Sequence, residues 1–202
     1  MTEWKIAPRA PDDYFAALSD LHPLTAQVLY TRGLTDPDAA RAFLLGTYAP
    51  VDPFALRDMP RAVERIFTAI ANGERIAVYA DYDCDGVTAG ALLIRTLTSL
   101  GAQAHVYIPD RFEEGYGLNA QALDRLQASG VSLVITVDCG ARAHAEAQHA
   151  RRIGLDLIIT DHHELEGGAI PDAHAVVDPK RPDCAYGFKH LAGVGVAFRL
   201  AQ

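Results

Sequence analysis

The sequence of 202 residues has little sulfur, with three cysteines and two methionines. Cys84, Cys139 and Cys184 form no CxxC pair and are odd in number. This excludes a disulfide scaffold and favours a reducing, cytoplasmic setting. No apolar run approaches the ~18 residues of a membrane span. The opening segment MTEWKIAPRAPDDY also lacks the apolar core of a signal peptide.

Basic residues are also scarce. The chain has 18 Lys+Arg against 26 Asp+Glu, a formal net charge of −8. This balance argues against a protein that coats nucleic acid through bulk charge, but it leaves a local basic groove open. The hydrophobic fraction of 50% and the charged fraction of 22% are ordinary for a globular protein.

The pattern of apolar residues divides the chain into two parts. Residues 1–58 are predicted to form a helical accessory segment, with Asp12 or Asp13 capping a first helix and Thr35 capping a later one that stops before Gly46. Residues 59–202 are predicted to form the main domain, which opens with a helix from Pro60 to Gly73.

Within the main domain, apolar strands alternate with helices. The predicted strands are ERIAVYA (74–80), AHVYIP (104–109), SLVITVD (132–138), DLIIT (156–160) and HAVVDP (174–179). Continuous apolar strands separated by helices are typical of a parallel sheet covered on both faces. The sequence therefore predicts an α/β fold, a five-stranded parallel, Rossmann-like (doubly wound) sheet.

Acidic and imidazole side chains follow three of these strands. DYDCDG (81–86) follows the first strand, Asp138 ends the third, and Asp161, His162 and His163 follow the fourth. In open α/β sheets, ligands bind beyond the carboxyl ends of the strands. We therefore expect these groups to meet at one edge of the sheet.

The segment DYDCDG has several interpretations. An EF-hand loop is excluded, because its twelfth position would be Leu92 rather than a glutamate. A phosphate-transferring site would make Asp83 a nucleophile and Asp85 its acid–base partner. An acidic turn that caps the next helix is a third interpretation. Three alternating carboxylates repel one another unless a cation offsets their charge, which favours a metal site.

The segment TDHHELEG is the most specific. His162 can bind a metal ion and His163 the substrate, with Asp161 orienting one of them. Carboxylates combined with imidazole favour Mn²⁺, with Mg²⁺ as an alternative. Two such ions would activate a water and clamp the leaving oxygen of a phosphoester. Cys84 and Cys139 lack zinc-ligand spacing, and we expect both as small buried side chains.

The runs DYDCDG, VDCG and DHH resemble the motifs of the DHH phosphoesterase superfamily. PDRFEEGYGLN (109–119), VDPKRPD (177–183) and FKHLAGVGVAFRL (188–200) are similar to segments of its RecJ-type branch of single-strand-specific exonucleases. The resemblance covers residues 74–202. The helical N-terminal segment is compatible with this family but adds little evidence for it.

The resemblance implies roles for individual residues. The metal ligands would be Asp81, Asp83, Asp85, Asp138 and His162, with Asp138 as the bridge between two ions. His163 would contact the scissile phosphate or transfer a proton, with Asp161 as its catalytic companion. The substrate-binding residues would be Arg111, Lys189, Gly193 and Gly195, and Lys180, Arg181 and Arg199 would add local positive charge. For Gly193 and Gly195, tight packing of the helix is the alternative explanation to close approach of the backbone to a phosphate.

The implied function is stepwise hydrolysis of single-stranded DNA from the 5′ end to mononucleotides, in DNA repair and recombination. The implied partners are a single-strand-binding protein and a repair helicase, and no membrane is expected. The family pattern also implies a truncated chain that lacks the DHHA1 domain and one aspartate ligand. Two alternatives stay open: hydrolysis of small phosphoesters (pyrophosphate, nanooligonucleotides or cyclic dinucleotides), and an inactive module that binds only metal or a partner.

Overall fold

The computed structural model describes residues 5–47 and 51–202. The chain forms two compact units, one up to Val51 and one from Asp52 to Gln202. The sequence pattern places the boundary after residue 58. Residues 52–58 lie with the second unit in the structure, because the Asp58 carboxylate accepts hydrogen bonds from the backbone of Val176 and the side chain of Arg181.

The first unit is helical. Its helices are α1 (Asp12–Ala17), α2 (Pro23–Thr31) and α3 (Pro37–Leu45). Helix α3 is capped by Asp36, whose carboxylate accepts from the amides of Asp38 and Ala39, and not by Thr35 as the sequence suggests. Asp36 directly precedes the proline at the first helical position, so its side chain is the one that reaches the free amides.

The second unit contains five strands and five α-helices among its described residues. In chain order these are α4 (Met59–Ala71), β1 (Arg75–Ala80), α5 (Cys84–Ser99), β2 (Gln103–Tyr107), α6 (Ala120–Ala128), β3 (Val131–Val137), α7 (His144–Arg152), β4 (Asp156–Thr160), β5 (Ala175–Val177) and α8 (Gly193–Ala201). In the described ranges, no helix combines the length and apolarity needed to cross a bilayer.

The five strands form one sheet in the order β2-β1-β3-β4-β5, and every pairing is parallel. The predicted parallel α/β fold is thereby confirmed. Helices cover both faces. Ala77 and Tyr79 of β1 belong to the core under α6 and α7. Ala80 faces α5 on the opposite side, close to Gly90. Strand β2 is the exception to the predicted burial, because this edge strand is largely exposed.

The register of the sheet aligns the carboxyl ends of the strands. Ala80 pairs with Val137, and Val137 pairs with Thr160. The residues that follow continue the ladder: the amides of Asp81, Asp138 and Asp161 donate to carbonyls of the next strand at 3.0–3.3 Å. The predicted convergence at one edge of the sheet therefore holds for the backbone.

Candidate metal centre

Four aspartates form a row across the carboxyl edge of the sheet. Each comes directly after a strand, and each is at most 3% exposed: Asp81 after β1, Asp138 after β3, Asp161 after β4 and Asp178 after β5. Burying four carboxylates side by side is costly without compensating protons, hydrogen bonds or cations. The row therefore marks the chemically unusual part of the molecule.

Asp138 lies at the centre of this row. It adopts a left-handed backbone conformation with φ 63°, which is uncommon for a residue with a side chain. Burial, followed by the nearby charges of Asp85 and Asp83, raises the pKa of Asp138 to about 7. Such strain and crowding are typical of functional sites.

One oxygen of Asp138 accepts no hydrogen bond from the described residues. Nε2 of His162 lies 3.0 Å from Asp138 Oδ1, yet outside hydrogen-bond geometry. Oδ1 is fully buried, and no described residue forms a hydrogen bond with it. A buried carboxylate oxygen without a donor is costly, and a metal ion would satisfy it.

Two groups of donor atoms share Asp138. Its carboxylate groups with those of Asp81 and Asp83, and also with the imidazoles of His162 and His163, all donor atoms of a group lying within 4.8 Å of one another. The site thus offers carboxylate oxygens on one side and imidazole nitrogens on the other. This donor set fits divalent cations such as Mn²⁺.

Asp83 also begins helix α5. Its Oδ1 accepts hydrogen bonds from the amides of Asp85 at 2.9 Å and Gly86 at 3.0 Å. The hydrogen bond from Gly86 is the main cause of the lowered pKa of Asp83. The neighbouring Asp81 is more buried, and its burial raises its pKa, so the two carboxyls shift in opposite directions.

The glycine of DYDCDG has a steric role that sequence reasoning missed. A Cβ atom at Gly86 would lie 2.4 Å from the carbonyl oxygen of Asp81. Only glycine allows the first turn of α5 to pack this closely against the end of β1. The tight turn brings Asp81 and Asp83 to the same donor group.

Asp85 has a different environment from the other predicted ligands. Its Oδ2 accepts from the amide of Gly193 at 2.6 Å, and its Oδ1 accepts from Val194 at 2.7 Å. Its carboxylate thus caps the N-terminus of α8. Oδ2 also lies 3.5 Å from Nε2 of His162, at the margin of the centre. Asp85 is not a member of either donor group.

His163 and Asp161 form a tightly coupled pair. Nδ1 of His163 lies 2.7 Å from Asp161 Oδ1, and this hydrogen bond raises the pKa of His163. Burial alone would raise the pKa of Asp161, but the hydrogen bonds from His163 and from backbone amides lower it. One of those amides is that of Ala141, 2.7 Å from Oδ2.

The predicted substrate-binding residues lie in different settings. The Arg111 guanidinium stacks over the ring of Tyr82, 5.2 Å from its centroid and next to the centre. Lys189 instead donates its Nζ to the carbonyl of Cys184 at 2.6 Å. At Gly193, a Cβ atom would lie 2.4 Å from Asp138 Oδ1, whereas at Gly195 it would lie 3.3 Å from Leu191.

Arg181 has a structural role in the second unit. It is 5% exposed and donates to the carboxylates of Asp58 and Asp183 and to the carbonyl of Val176. Its guanidinium is therefore not available to a nucleic-acid backbone. Of the two cysteines near the centre, Cys139 is buried as expected, but Cys84 is exposed in the first turn of α5.

Asp178 is the member of the row that sequence reasoning missed. Its Oδ1 accepts from the amide of Lys180 at 2.7 Å, and its buried Oδ2 has no hydrogen-bond partner in the described ranges. Burial, followed by the charge of Asp161, raises the pKa of Asp178 to about 7. The available signal was the Asp directly after the apolar run HAVV, which repeats the pattern of the other strands.

Comparison with known proteins assigns the family. Residues 75–202 match the DHH family, N-terminal domain. The chain is 48% identical over 202 residues to the single-stranded-DNA-specific exonuclease RecJ of Bacillus subtilis, covering 98% of this chain and 26% of that protein. It is 39% identical over 184 residues to RecJ of Escherichia coli, covering 90% and 31%.

Solved structures agree with this assignment. A crystal structure of exonuclease RecJ bound to manganese superposes with a TM-score of 0.67 at 37% identity, covering 75% of this chain and 38% of that one. RecJ from Thermus thermophilus in complex with Mn²⁺ gives a TM-score of 0.69 at 31% identity, covering 93% and 26%. The chain spans about a quarter to a third of the curated relatives described above. Together with the aspartate row and the His163–Asp161 pair, these matches show that the chain belongs to the DHH family.

Proposed function

We propose that this chain forms the metal-binding part of a phosphodiesterase that hydrolyses single-stranded DNA. The observation that carries the proposal is the buried Oδ1 of Asp138, which accepts no hydrogen bond from any described residue. Asp138 is also the carboxylate shared by the two groups of donor atoms. The similarity to RecJ exonucleases supports the nucleic-acid substrate.

The residues that would hold divalent cations are Asp81, Asp83, Asp138 and His162, with Asp138 between two ions and Asp85 at the margin. Mn²⁺ is the preferred cation, and Mg²⁺ is accommodated by the same oxygen donors. A solved RecJ structure holds Mn²⁺ and another holds Mg²⁺. When bound, such ions lower the pKa of a water and offset the charge of a phosphate.

His163 and Asp161 would handle the proton. Asp161 accepts from Nδ1 of His163, which fixes the ring and leaves Nε2 as the nitrogen that contacts the substrate. Asp161 is itself fixed by the amides of Ala141 and His162, at 2.7 Å each. The imidazole would donate to a phosphate oxygen or protonate the leaving group, while Asp161 stabilises its charged form.

The direction of cleavage, the products and the partners belong to the same proposal. By similarity, the strand would enter past Arg111 and lose mononucleotides from its 5′ end. A single-strand-binding protein and a repair helicase would present the strand during repair and recombination. The stacked Arg111–Tyr82 pair supports this path, because it offers a cation and an aromatic face beside the centre.

The test combines Mn²⁺ calorimetry with a nuclease assay on the same samples. We expect the wild-type chain to bind Mn²⁺ and Asp138→Asn to bind at least 10-fold more weakly. Asp172→Asn, a change at an exposed carboxylate paired with Arg151, should leave binding unchanged. Absence of Mn²⁺ binding to the wild type would overturn the proposal.

The nuclease arm uses single strands labelled at either end, the matching duplex and a dinucleotide. Mn²⁺-dependent shortening of the single strand from its 5′ end, with the duplex spared, supports the proposal. Preferential cleavage of the dinucleotide would assign a small-phosphoester hydrolase instead. Metal binding without cleavage of any substrate would leave a binding module and refute the enzymatic role of this chain.

A further inference from the structure

Two buried threonines lie in the mainly apolar strands that lead to the candidate metal centre. Thr136 stands two residues before Asp138, and Thr160 directly precedes Asp161. Both threonines are 0% exposed. A buried hydroxyl is costly unless it forms hydrogen bonds, so the partners of each hydroxyl show what it holds in place.

The hydroxyl of Thr136 links the two backbone segments that carry the centre. It donates to the carbonyl of Cys139 at 2.7 Å, in the turn that follows β3. It also accepts from the amide of Thr160 at 3.3 Å, at the end of β4. Asp138 lies within the first of these segments, and Asp161 directly follows the second. One side chain therefore binds the backbone beside both aspartates.

The turn that receives this hydrogen bond has an unusual backbone. Asp138 has φ 63° and Gly140 has φ 111°, values that residues with a side chain rarely adopt. At Gly140 a Cβ atom would lie 3.2 Å from Thr136 Oγ1, so the turn packs directly against the hydroxyl. An aspartate in the left-handed conformation persists only where surrounding contacts determine it, and the hydrogen bond from Thr136 is such a contact.

The same turn orients both parts of the centre. Asp138 is the carboxylate shared by the two groups of donor atoms. Just beyond the turn, the amide of Ala141 donates to Asp161 Oδ2 at 2.7 Å, and Asp161 in turn holds the ring of His163. A shift of this turn would therefore move the shared carboxylate and loosen the His163–Asp161 pair at the same time.

We infer that Thr136 is a positioning residue of the candidate metal centre, whose hydroxyl holds the turn 138–140 in the conformation that presents the Asp138 carboxylate to a divalent cation. The inference rests on the proposed function, in which Asp138 binds the cation. Thr160 provides a comparison, because its hydroxyl donates to the carbonyl of Thr136 at 2.6 Å, inside the sheet rather than in the turn.

The test is a calorimetric titration of the chain with MnCl₂. Thr136→Val keeps the shape of the side chain and removes the hydroxyl, so the carbonyl of Cys139 loses this donor. We expect Thr136→Val to bind Mn²⁺ roughly 10-fold more weakly than the wild type, the effect typical of groups that orient metal ligands. Thr136→Ser keeps the hydroxyl and should restore most of the affinity. If Thr136→Val does not fold, Thr136→Ala removes the same hydroxyl without adding bulk.

Thr160→Val is the matched control, because it removes a hydroxyl that is equally buried and lies in the neighbouring strand. Both valine variants should unfold at a lower urea concentration than the wild type, since each loses a buried hydrogen bond. Only Thr136→Val should bind Mn²⁺ more weakly. Equal Mn²⁺ affinities of Thr136→Val and the wild type would overturn the inference, and so would equal weakening in the two valine variants.

Amide hydrogen exchange in the absence of metal tests the turn itself. The amide of Ala141 should exchange faster in Thr136→Val than in the wild type, relative to the amide of Val134 in the middle of β3, because the turn opens locally more often. In Thr160→Val this ratio should stay at the wild-type value. An unchanged ratio in Thr136→Val would contradict the positioning role.

The outcomes separate this inference from the proposed function. Weaker Mn²⁺ binding by Thr136→Val, combined with a wild-type chain that binds Mn²⁺ but cleaves no DNA, would refute the proposed enzymatic role and retain the role of Thr136. Mn²⁺-dependent cleavage by the wild type, combined with an unaltered Mn²⁺ affinity of Thr136→Val, would refute the positioning role alone. If the wild type binds no Mn²⁺, the proposed function fails, and the exchange ratio of Ala141 decides whether Thr136 holds the turn.

Discussion

The carboxylate of Asp85 accepts a hydrogen bond of 2.6 Å from the backbone amide of Gly193, and its second oxygen accepts from the next amide of α8. Free amides at a helix N-terminus carry partial positive charge, so a carboxylate there is favourable. Asp85 therefore joins α8 to the turn that begins α5, beside the candidate metal centre.

We expect Asp85→Ala to lower the free energy of unfolding by about 1–2 kcal/mol, because two helix amides lose their acceptor. Asp85→Asn should lower the free energy of unfolding by less, since the oxygen of the asparagine side chain still accepts a hydrogen bond from one backbone amide of α8. Urea denaturation measures both. Asp172→Ala, at an exposed carboxylate, should stay within about 0.5 kcal/mol of the wild type. An unchanged stability for Asp85→Ala would contradict the capping role.

The two glycines of α8 should respond differently to alanine. Gly193→Ala places a Cβ atom 2.4 Å from Asp138 Oδ1, so either the helix or the carboxylate must move. We expect it to cost about 1–3 kcal/mol of stability, as overpacking does, and to weaken Mn²⁺ binding.

Gly195→Ala is the matched control for this change. Its Cβ atom would meet the Leu191 side chain alone, at 3.3 Å from Cδ2, which can shift, and at an ordinary contact distance of 3.5 Å from Cβ. Alanine also favours a helix, by up to about 1 kcal/mol over glycine. Calorimetric titration and urea denaturation of both variants test the pair, and equal effects would refute the steric role of Gly193.

The raised pKa of Asp178 predicts that the free energy of unfolding depends on pH. Its folded pKa of about 7 lies above the ordinary aspartate value of 3.8, so the folded state binds the extra proton. Stability therefore falls as the pH rises between these values. The free energy of unfolding lost once the pH exceeds the folded pKa approaches about 4 kcal/mol, because each pKa unit corresponds to ~1.4 kcal/mol and the shift is about three units.

Asp178→Asn removes the titration and keeps an acceptor for the amide of Lys180. Relative to the wild type, this variant should gain stability as the pH rises from 4 to 8. Urea denaturation at several pH values measures the difference. A constant difference between variant and wild type over this range is incompatible with a raised pKa of Asp178.

Arg181 and Arg151 provide a comparison of buried and exposed ion pairs. Arg181→Gln leaves the carboxylate of Asp58 without its buried partner, and we expect a loss of about 3–5 kcal/mol. Arg151→Gln, whose side chain is 74% exposed, should change stability by less than about 1 kcal/mol. Similar melting temperatures for the two variants would refute the structural role of Arg181.

Much of the centre could be predicted because parallel strands align their ends. Apolar runs located β1, β3 and β4, and the residue after each run then had to lie at the same edge. The placement of Asp81, Asp138 and Asp161 at one edge of the sheet follows from that rule. Exposure of the edge strand β2 did not follow, since sequence order alone does not say which strand lies outermost.

The individual contacts of Asp85 and Asp178 could not be read from the sequence. The spacing of DYDCDG does not distinguish its three aspartates. In the structure, the third one accepts a hydrogen bond from the amide of Gly193, 108 residues further on, at the start of α8. Asp178 precedes a proline, which is also typical of a plain turn. Both contacts depend on long-range packing, and local patterns carry no information about it.

The link between Asp85 and α8 affects how the centre arises during synthesis. A nascent chain in which β1, β3 and β4 have left the ribosome already carries most of the acidic groups. It still lacks α8, the helix whose amides bind Asp85 and which packs against Asp138. Contacts between such distant residues close slowly during folding. Translation thus delivers these acidic groups well before the helix that packs against them.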